Sequence, residues 1–230
     1  LVYFLISDYE KQLKSYLKAF TIAEKLQDTT LLVALYNNLG NTYNDLKMHK
    51  KSLENYEKGL HLLTQSSSPI SKSTAGILWG NSGIVYEQLG NYKEALRRIK
   101  IAKNIRVALK NWGQIGGSNI DIANVYEKLQ QLDSAIFYNK QSVFNYKKIQ
   151  NKGGLLIAYE NLARLYENQH LFKTALNYRK REDSLRGIIM NSKTLKKQAY
   201  LLAEIEYEKE ISDLNKEKIN LQQTSFNRLL

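Results

Sequence analysis

The sequence predicts an all-α protein: a superhelical solenoid of about five stacked helix hairpins, followed by one long helix. Three observations carry this. Tyr3, Tyr43, Tyr86, Tyr126 and Tyr166 stand 40, 43, 40 and 40 residues apart. A second ladder, Tyr9, His49, Tyr92, Leu132 and Phe172, keeps the same spacings six residues behind the first. Pro69 is the only proline in 230 residues, so almost nothing interrupts helices. Self-similarity at a fixed period marks an array in which no unit buries its apolar face alone and stacking supplies the core.

Each unit repeats a local pattern. The second reads Tyr36-x2-Leu39-Gly40-x2-Tyr43 and the third Trp79-x2-Ser82-Gly83-x2-Tyr86. The fourth and fifth carry Ile122-Ala123-x2-Tyr126 and Leu162-Ala163-x2-Tyr166. Gly40, Gly83, Ala123 and Ala163 are small enough for two helices of a hairpin to approach closely. Ala95, Ala135 and Ala175 do the same from the facing helix, and the tyrosines fill space between hairpins. With these residues the chain resembles the tetratricopeptide repeat family. That family's first helix has a large residue, then Leu-Gly, then Tyr; its second opens on a small residue with a bulky one four on. Ala95 with Ile99 and Ser52 with Tyr56 match. Ala135 and Ala175 keep the small residue, but Asn139 and Arg179 replace the bulky one, and the closing proline is absent. A period near 40 rather than the usual ~34 implies hairpins about 9 Å longer than the family norm.

The units end where turn chemistry requires. Gly90-Asn91 divides the two helices of the third unit, Asn111 to Gly113 and Asn151 to Gly153 separate units, and Ser66-Ser67-Ser68-Pro69 fills the connection that stretches one spacing to 43. Tyr3 stands where a first helix ends, so the chain is expected to begin inside its first repeat. The array is assigned to residues 1–189.

Residues 190–230 form the second region, a capping or coiled-coil-like helix. It lacks Pro and Gly and is rich in Lys, Glu, Leu and Ile. Tyr200, Tyr207, Leu214 and Leu221 fall seven apart and Ile211 sits four after Tyr207, half of a heptad seam. Glu204 and Lys218 hold the partner positions. This seam is the candidate surface for a homodimer. Ala175-Leu176-Asn177-Tyr178, Asp183-Ser184-Leu185 and the charged run Glu206-Tyr207-Glu208-Lys209-Glu210 are similar to the extracytoplasmic sensor region of certain bacterial membrane signalling proteins. There, tetratricopeptide repeats run through a charged helix and a membrane span into a histidine kinase or helix-turn-helix output domain. The resemblance implies the periplasmic face of a bacterial inner membrane, with any membrane contact made by a segment outside this chain; a cytoplasmic location is the alternative.

Composition narrows the chemistry. With no cysteine there is neither a disulfide framework nor a thiolate metal site. The longest apolar run, Leu1 to Ile6, is too short to span a bilayer. His49, His61 and His170 have no metal-ligand spacing. Gly113-x2-Gly116-Gly117 is not followed by Lys-Ser/Thr, so it is no phosphate loop, and its partial recurrence at Gly153-Gly154 marks a repeat turn. No nucleophile motif or kinase core is present. The expectation is a chain without a catalytic site, metal or cofactor.

Binding remains. In such arrays first helices line a groove, and the positions between core residues face it. These are Asn37, Asn41 and Asn44; Ile84 and Glu87; Asn124 and Glu127; and Glu160, Arg164 and Glu167. An amide carries both donor and acceptor and suits an extended peptide backbone. The family's grip on a terminal carboxylate uses Lys and Asn. Asn41 and Arg164 resemble parts of it, but Glu160 stands where a lysine is wanted and would repel a carboxylate. The expected partner is a protein or peptide, with a small ligand as a further class. Two alternatives stand beside the sensor reading. One is a cytoplasmic adaptor. The other is a nucleic-acid-associated protein using Arg97, Arg98, Lys100, Lys103 and Arg106, in keeping with the net charge of +12.

Overall fold

A computed structural model describes the backbone of residues 2–64 and 69–227. Side chains are described for 9, 11–64 and 71–198 and for scattered positions up to Lys209. Nine α-helices occupy the described residues: α1 (Val2–Lys25), α2 (Thr29–Asp45), α3 (His49–Leu63), α4 (Pro69–Gln88), α5 (Tyr92–Ala108), α6 (Trp112–Lys128), α7 (Leu132–Lys148), α8 (Lys152–Asn168) and α9 (Phe172–Asn227). The chain divides into two compact units, Leu1–Glu182 and Asp183–Leu230.

Both tyrosine-led ladders are structural. His49, Tyr92, Leu132 and Phe172 are the first residues of α3, α5, α7 and α9. Tyr43, Tyr86, Tyr126 and Tyr166 sit in the last turns of α2, α4, α6 and α8. Four hairpins result, α2/α3, α4/α5, α6/α7 and α8/α9. The first unit departs from the expected pattern: α1 runs unbroken past Tyr9, where the repeat places a turn. In each complete hairpin the turn passes through one left-handed residue, Lys47, Gly90, Gln130 or His170, followed by a short link. Residues 4–8, Phe-Leu-Ile-Ser-Asp, continue the helix instead. Tyr3 itself has a side chain outside the described residues.

Connections between hairpins use the same device. Gln27, Lys110 and Gln150 have φ of 52°, 54° and 53°. The next residue caps the following helix: Asp28, Asn111 and Asn151 accept from the backbone N–H of Leu31, Gln114 and Gly154, and Asn91 caps α5 likewise through Glu94. The serine connection at 65–68 lies outside the described residues.

The small residues do what their size allows. A Cβ on Gly40 would lie 2.4 Å from the Tyr56 ring, and one on Gly83 would lie 2.6 Å from Ile99. Ala95, Ala123, Ala135, Ala163 and Ala175 are buried. Tyr126 stacks on Tyr138 and Tyr166 on Tyr178, with ring centroids 5.5 and 5.6 Å apart, so two successive hairpins close on parallel tyrosine pairs. Gly116 and Gly154, read from sequence as turn glycines, both face one ring: a Cβ would lie 2.8 and 2.5 Å from Tyr146 of α7.

Three apolar clusters fill the array. One joins Val33, Tyr56, Leu60, Leu78 and Val85; the next joins Ala95, Ile99, Ile122 and Val125; the last joins Ala123, Ala135, Ile136, Leu162, Leu165, Tyr166 and Ala175. A polar layer interrupts this pattern at α5, α6 and α7. Asn119 stands where Tyr36, Trp79 and Tyr159 stand in other repeats, and it is 1% exposed. Arg106 is buried and donates to Ser118 Oγ at 2.5 Å and to the Gly76 carbonyl at 3.3 Å. The Arg106 Nε, Asn119 Oδ1 and Ser142 Oγ atoms have no hydrogen-bond partner among the described residues.

The long helix begins earlier than the sequence pattern places it. α9 runs from Phe172 to Asn227, 56 residues, so the second helix of the fifth repeat and the C-terminal helix are one element. Gly187 is the only glycine within it, and a single helical glycine costs only about 1 kcal/mol, too little to break a helix of this length.

Candidate binding groove

α2 touches α4, α4 touches α6 and α6 touches α8, so first helices form a continuous inner layer. Repeat spacing turns single residues on that layer into rows. Asn44, Glu87, Glu127 and Glu167 make one row; Asn41, Ile84, Asn124 and Arg164 a second; Asn38, Asn81, Asp121 and Asn161 a third. The candidate residues therefore fall together on one face, as the helical spacing implies. Asn81, Asp121 and Asn161 belong with them and were missed. Their signal was the recurrence of a small polar residue five positions before each ladder tyrosine.

The amides at the α2 end are occupied by one another. Asn81 Nδ2 donates to Asn37 Oδ1 at 3.0 Å and to Asn41 Oδ1 at 3.2 Å, and the Tyr56 hydroxyl donates to Asn41 Oδ1 at 2.7 Å. Asn44 Oδ1 lies 3.0 Å from His49 Nδ1. Ile84 is partly buried and Glu160 is exposed.

The acids follow a different rule. Arg164 of α8 reaches back to hold Glu127 of α6. Arg179 of α9 grips both carboxylate oxygens of Glu167 at 3.1 Å and also holds Glu182 at 3.0 Å. The Arg179 hydrogen bonds hold the Glu167 carboxyl below its ordinary value. Among the described residues Glu87 has no such arginine. The residue placed toward it as Arg164 is toward Glu127, thirty-seven positions on, is Asn124. Burial pushes the Glu87 carboxyl up, and Lys128 offsets part of that. Asp121 is pushed up to about 6, chiefly by burial, with Arg106 opposing and the Glu87 charge adding to the rise. Glu87, Asn124, Glu127, Lys128, Gln130 and Arg164 line one recess of about 480 Å³.

The basic residues of α5 do not form one cationic face. Arg98 is 7% exposed, pairs with Glu57 at 2.5 Å and Glu94 at 2.7 Å, and donates to Ser82. Arg97 pairs with Glu94 at 2.6 Å, Lys103 covers the Tyr138 ring, and Arg106 is buried. Helical spacing turns part of this run inward, and Glu94 of the same helix with Glu57 of α3 neutralises Arg97 and Arg98. On the second unit, Tyr200 and Tyr207 are 71% and 64% exposed. Ile211, Leu214 and Leu221 lie on the same helix with side chains outside the described residues. Among the described residues no group of His, Asp or Glu side chains is arranged to hold a metal, and no helix is long and apolar enough to cross a membrane.

The tetratricopeptide repeat family matches residues 33–62, which cover most of α2 and most of α3. The repeat is of the tetratricopeptide type. Solved structures with this fold extend the likeness over the array. BtubC from P. vanneervenii is 18% identical with a TM-score of 0.71, covering 79% of this chain and 74% of its own. The apo form of RapI is 13% identical, also at 0.71, covering 82% and 68%. The Rap conjugation gene regulator of plasmid pLS20, solved with a Phr peptide, is 15% identical at 0.59, covering 70% and 44%. At these identities the tetratricopeptide likeness is one of fold. No curated protein matches the chain in sequence.

Proposed function

We propose that this tetratricopeptide array binds an extended protein or peptide segment along its inner face, with a basic side chain of that segment seated against Glu87. The observation that carries the reading is the break in the acid row. Glu127 and Glu167 each have an arginine, whereas Glu87 opens into a recess with an asparagine opposite. Burying a carboxylate without a partner is costly, and an incoming ammonium or guanidinium would offset that cost. That a Rap regulator of similar fold was solved with a peptide supports this class of ligand. Following the sequence resemblance, the module acts as the sensor region of a bacterial signal-transduction protein, with α9 as the output helix and the homodimer contact. A free-standing adaptor is the second reading, favoured by nothing on the array itself.

The test is selection from a random peptide library on the immobilised chain. Enrichment of Lys or Arg at one position, lost with Glu87→Gln, supports the groove. Equal enrichment on both proteins overturns it.

A further inference from the structure

The two layers of the array differ in charge. Of the second helices, α5 carries six bases and one acid and α7 three bases and one acid. The first helices α4, α6 and α8 together carry four bases and five acids. The outer cations are of two kinds. Among the described residues every ion pair uses an arginine and none a lysine. Arg97 and Arg98 are tied to Glu57 and Glu94. Lys100, Lys140 and Lys180 recur one per repeat, 40 residues apart, and all three are exposed. Lys103, Lys140 and Lys148 lie over the rings of Tyr138, Tyr166 and Trp112, contacts that leave the charge without an acid.

Two phenylalanines stand among these lysines. Phe137 and Phe144 are 56% and 62% exposed. They lie two turns apart on α7, about 10 Å along its axis, with Lys140 between them and Lys147 one turn further on. The stack does not require them. In other repeats the position of Phe137 holds Glu54, Arg97 and Asn177, and that of Phe144 holds His61, Asn104 and Ser184. Exposed rings at two sites where the other repeats are polar point to a contact outside the array.

We propose that the outer face of α5, α7 and the first turns of α9 lies against an anionic lipid surface. Phe137 and Phe144 enter the headgroup boundary, and Lys100, Lys140, Lys147 and Lys180 reach lipid phosphates. A protein interface gathers its aromatics at a dry core and sets charge at the rim, whereas here ring and lysine alternate along one helix. A nucleic acid is gripped best by the planar fork of arginine, and the exposed arginine of α5 is already paired. A bilayer boundary accepts both groups side by side. The ring enters it, while a lysine stem lies along it and carries the ammonium to the phosphates. The contact is peripheral, is made by the array itself rather than by a segment outside the chain, and is independent of what the inner face binds.

Sedimentation of the whole chain with lipid vesicles tests this. Vesicles of phosphatidylcholine mixed with phosphatidylglycerol should carry the chain down, those of phosphatidylcholine alone should not, and added salt should release it. Lys100→Gln, Lys140→Gln and Lys147→Gln together should lower the partition coefficient about a hundredfold, roughly fivefold for each charge removed. Phe137→Asn with Phe144→Ser, the residues of the fifth repeat, should lower it at least about tenfold. Lys47→Gln, Lys72→Gln and Lys152→Gln remove equal charge from the turn after α2 and from α4 and α8, and should cost far less. Circular dichroism melts check that each variant is folded. Equal loss with this last set, or no binding to the anionic vesicles, overturns the proposal. An unchanged partition with both phenylalanines replaced overturns their insertion. Binding of a single-stranded oligonucleotide without binding of vesicles overturns lipid in favour of nucleic acid.

Discussion

Arg164 of α8 holds Glu127 of α6 across the inner face, and one repeat earlier the same position is Asn124, facing Glu87. Asn124→Arg completes the row. The new pair is partly solvated, so the expected gain is small, about 0.5 kcal/mol by urea denaturation. The clearer result is in titration. The Glu87 carboxyl, now held up by burial, should fall toward the ordinary range when followed by NMR, and library peptides enriched by the natural chain should no longer bind.

Tyr146 fills a slot made by two glycines on different helices. Gly154→Ala forces a methyl against the ring and should cost about 1–3 kcal/mol. Combined with Tyr146→Leu, the cost of the alanine should shrink. A double-mutant cycle by thermal unfolding measures this; strictly additive costs would mean that the ring is not what the alanine meets.

Asp121 stands in a row of asparagines, Asn38, Asn81 and Asn161. Unfolded, it titrates at ~3.9; folded, at about 6. Between those values the folded chain holds a proton that the unfolded chain has lost. Its contribution to stability is therefore fullest below the unfolded value and falls as pH rises through 4 to 6. Asp121→Asn should flatten that decline and raise stability at pH 7 by up to about 2 kcal/mol. Denaturation midpoints measured from pH 4 to 7 check both the sign and the window.

Seven described turn residues adopt positive φ and only Gly90 is a glycine. Lys110→Gly and Gln150→Gly should each stabilise by about 0.5–1 kcal/mol, because a side chain at that conformation costs energy that glycine does not. Gly90→Ala should destabilise by about 1 kcal/mol even though its Cβ meets nothing within 4 Å. Guanidinium melts of the three variants read the result.

The array was legible in the sequence because its rule is geometric. A hairpin that stacks on a copy of itself must repeat its small and large residues in register, so the Tyr43, Tyr86, Tyr126 and Tyr166 ladder carried the architecture. Which residues share one face of the first helices was legible for the same reason, since helical spacing fixes it. What spacing does not encode is pairing between helices. That Asn41 is taken by Tyr56 and Asn81, or Glu167 by Arg179, depends on side-chain reach across a stack. The unbroken α1 and α9 are not marked in the sequence, because the periodic apolar pattern continues whether or not a turn intervenes.

The polar layer at Arg106, Ser118, Asn119 and Ser142 has a mechanical consequence. Apolar contacts yield gradually when pulled apart, since area is lost little by little. Directional bonds around a buried guanidinium fail over a fraction of an ångström, and water entering behind them finds three atoms already waiting for it. Stretched between its ends, the array should therefore part first at the junction of α5 with α6 and α7. It would separate into two blocks, α1 to α5 and the helices after them, rather than peel hairpin by hairpin, so the extension trace would show one large step before any smaller ones.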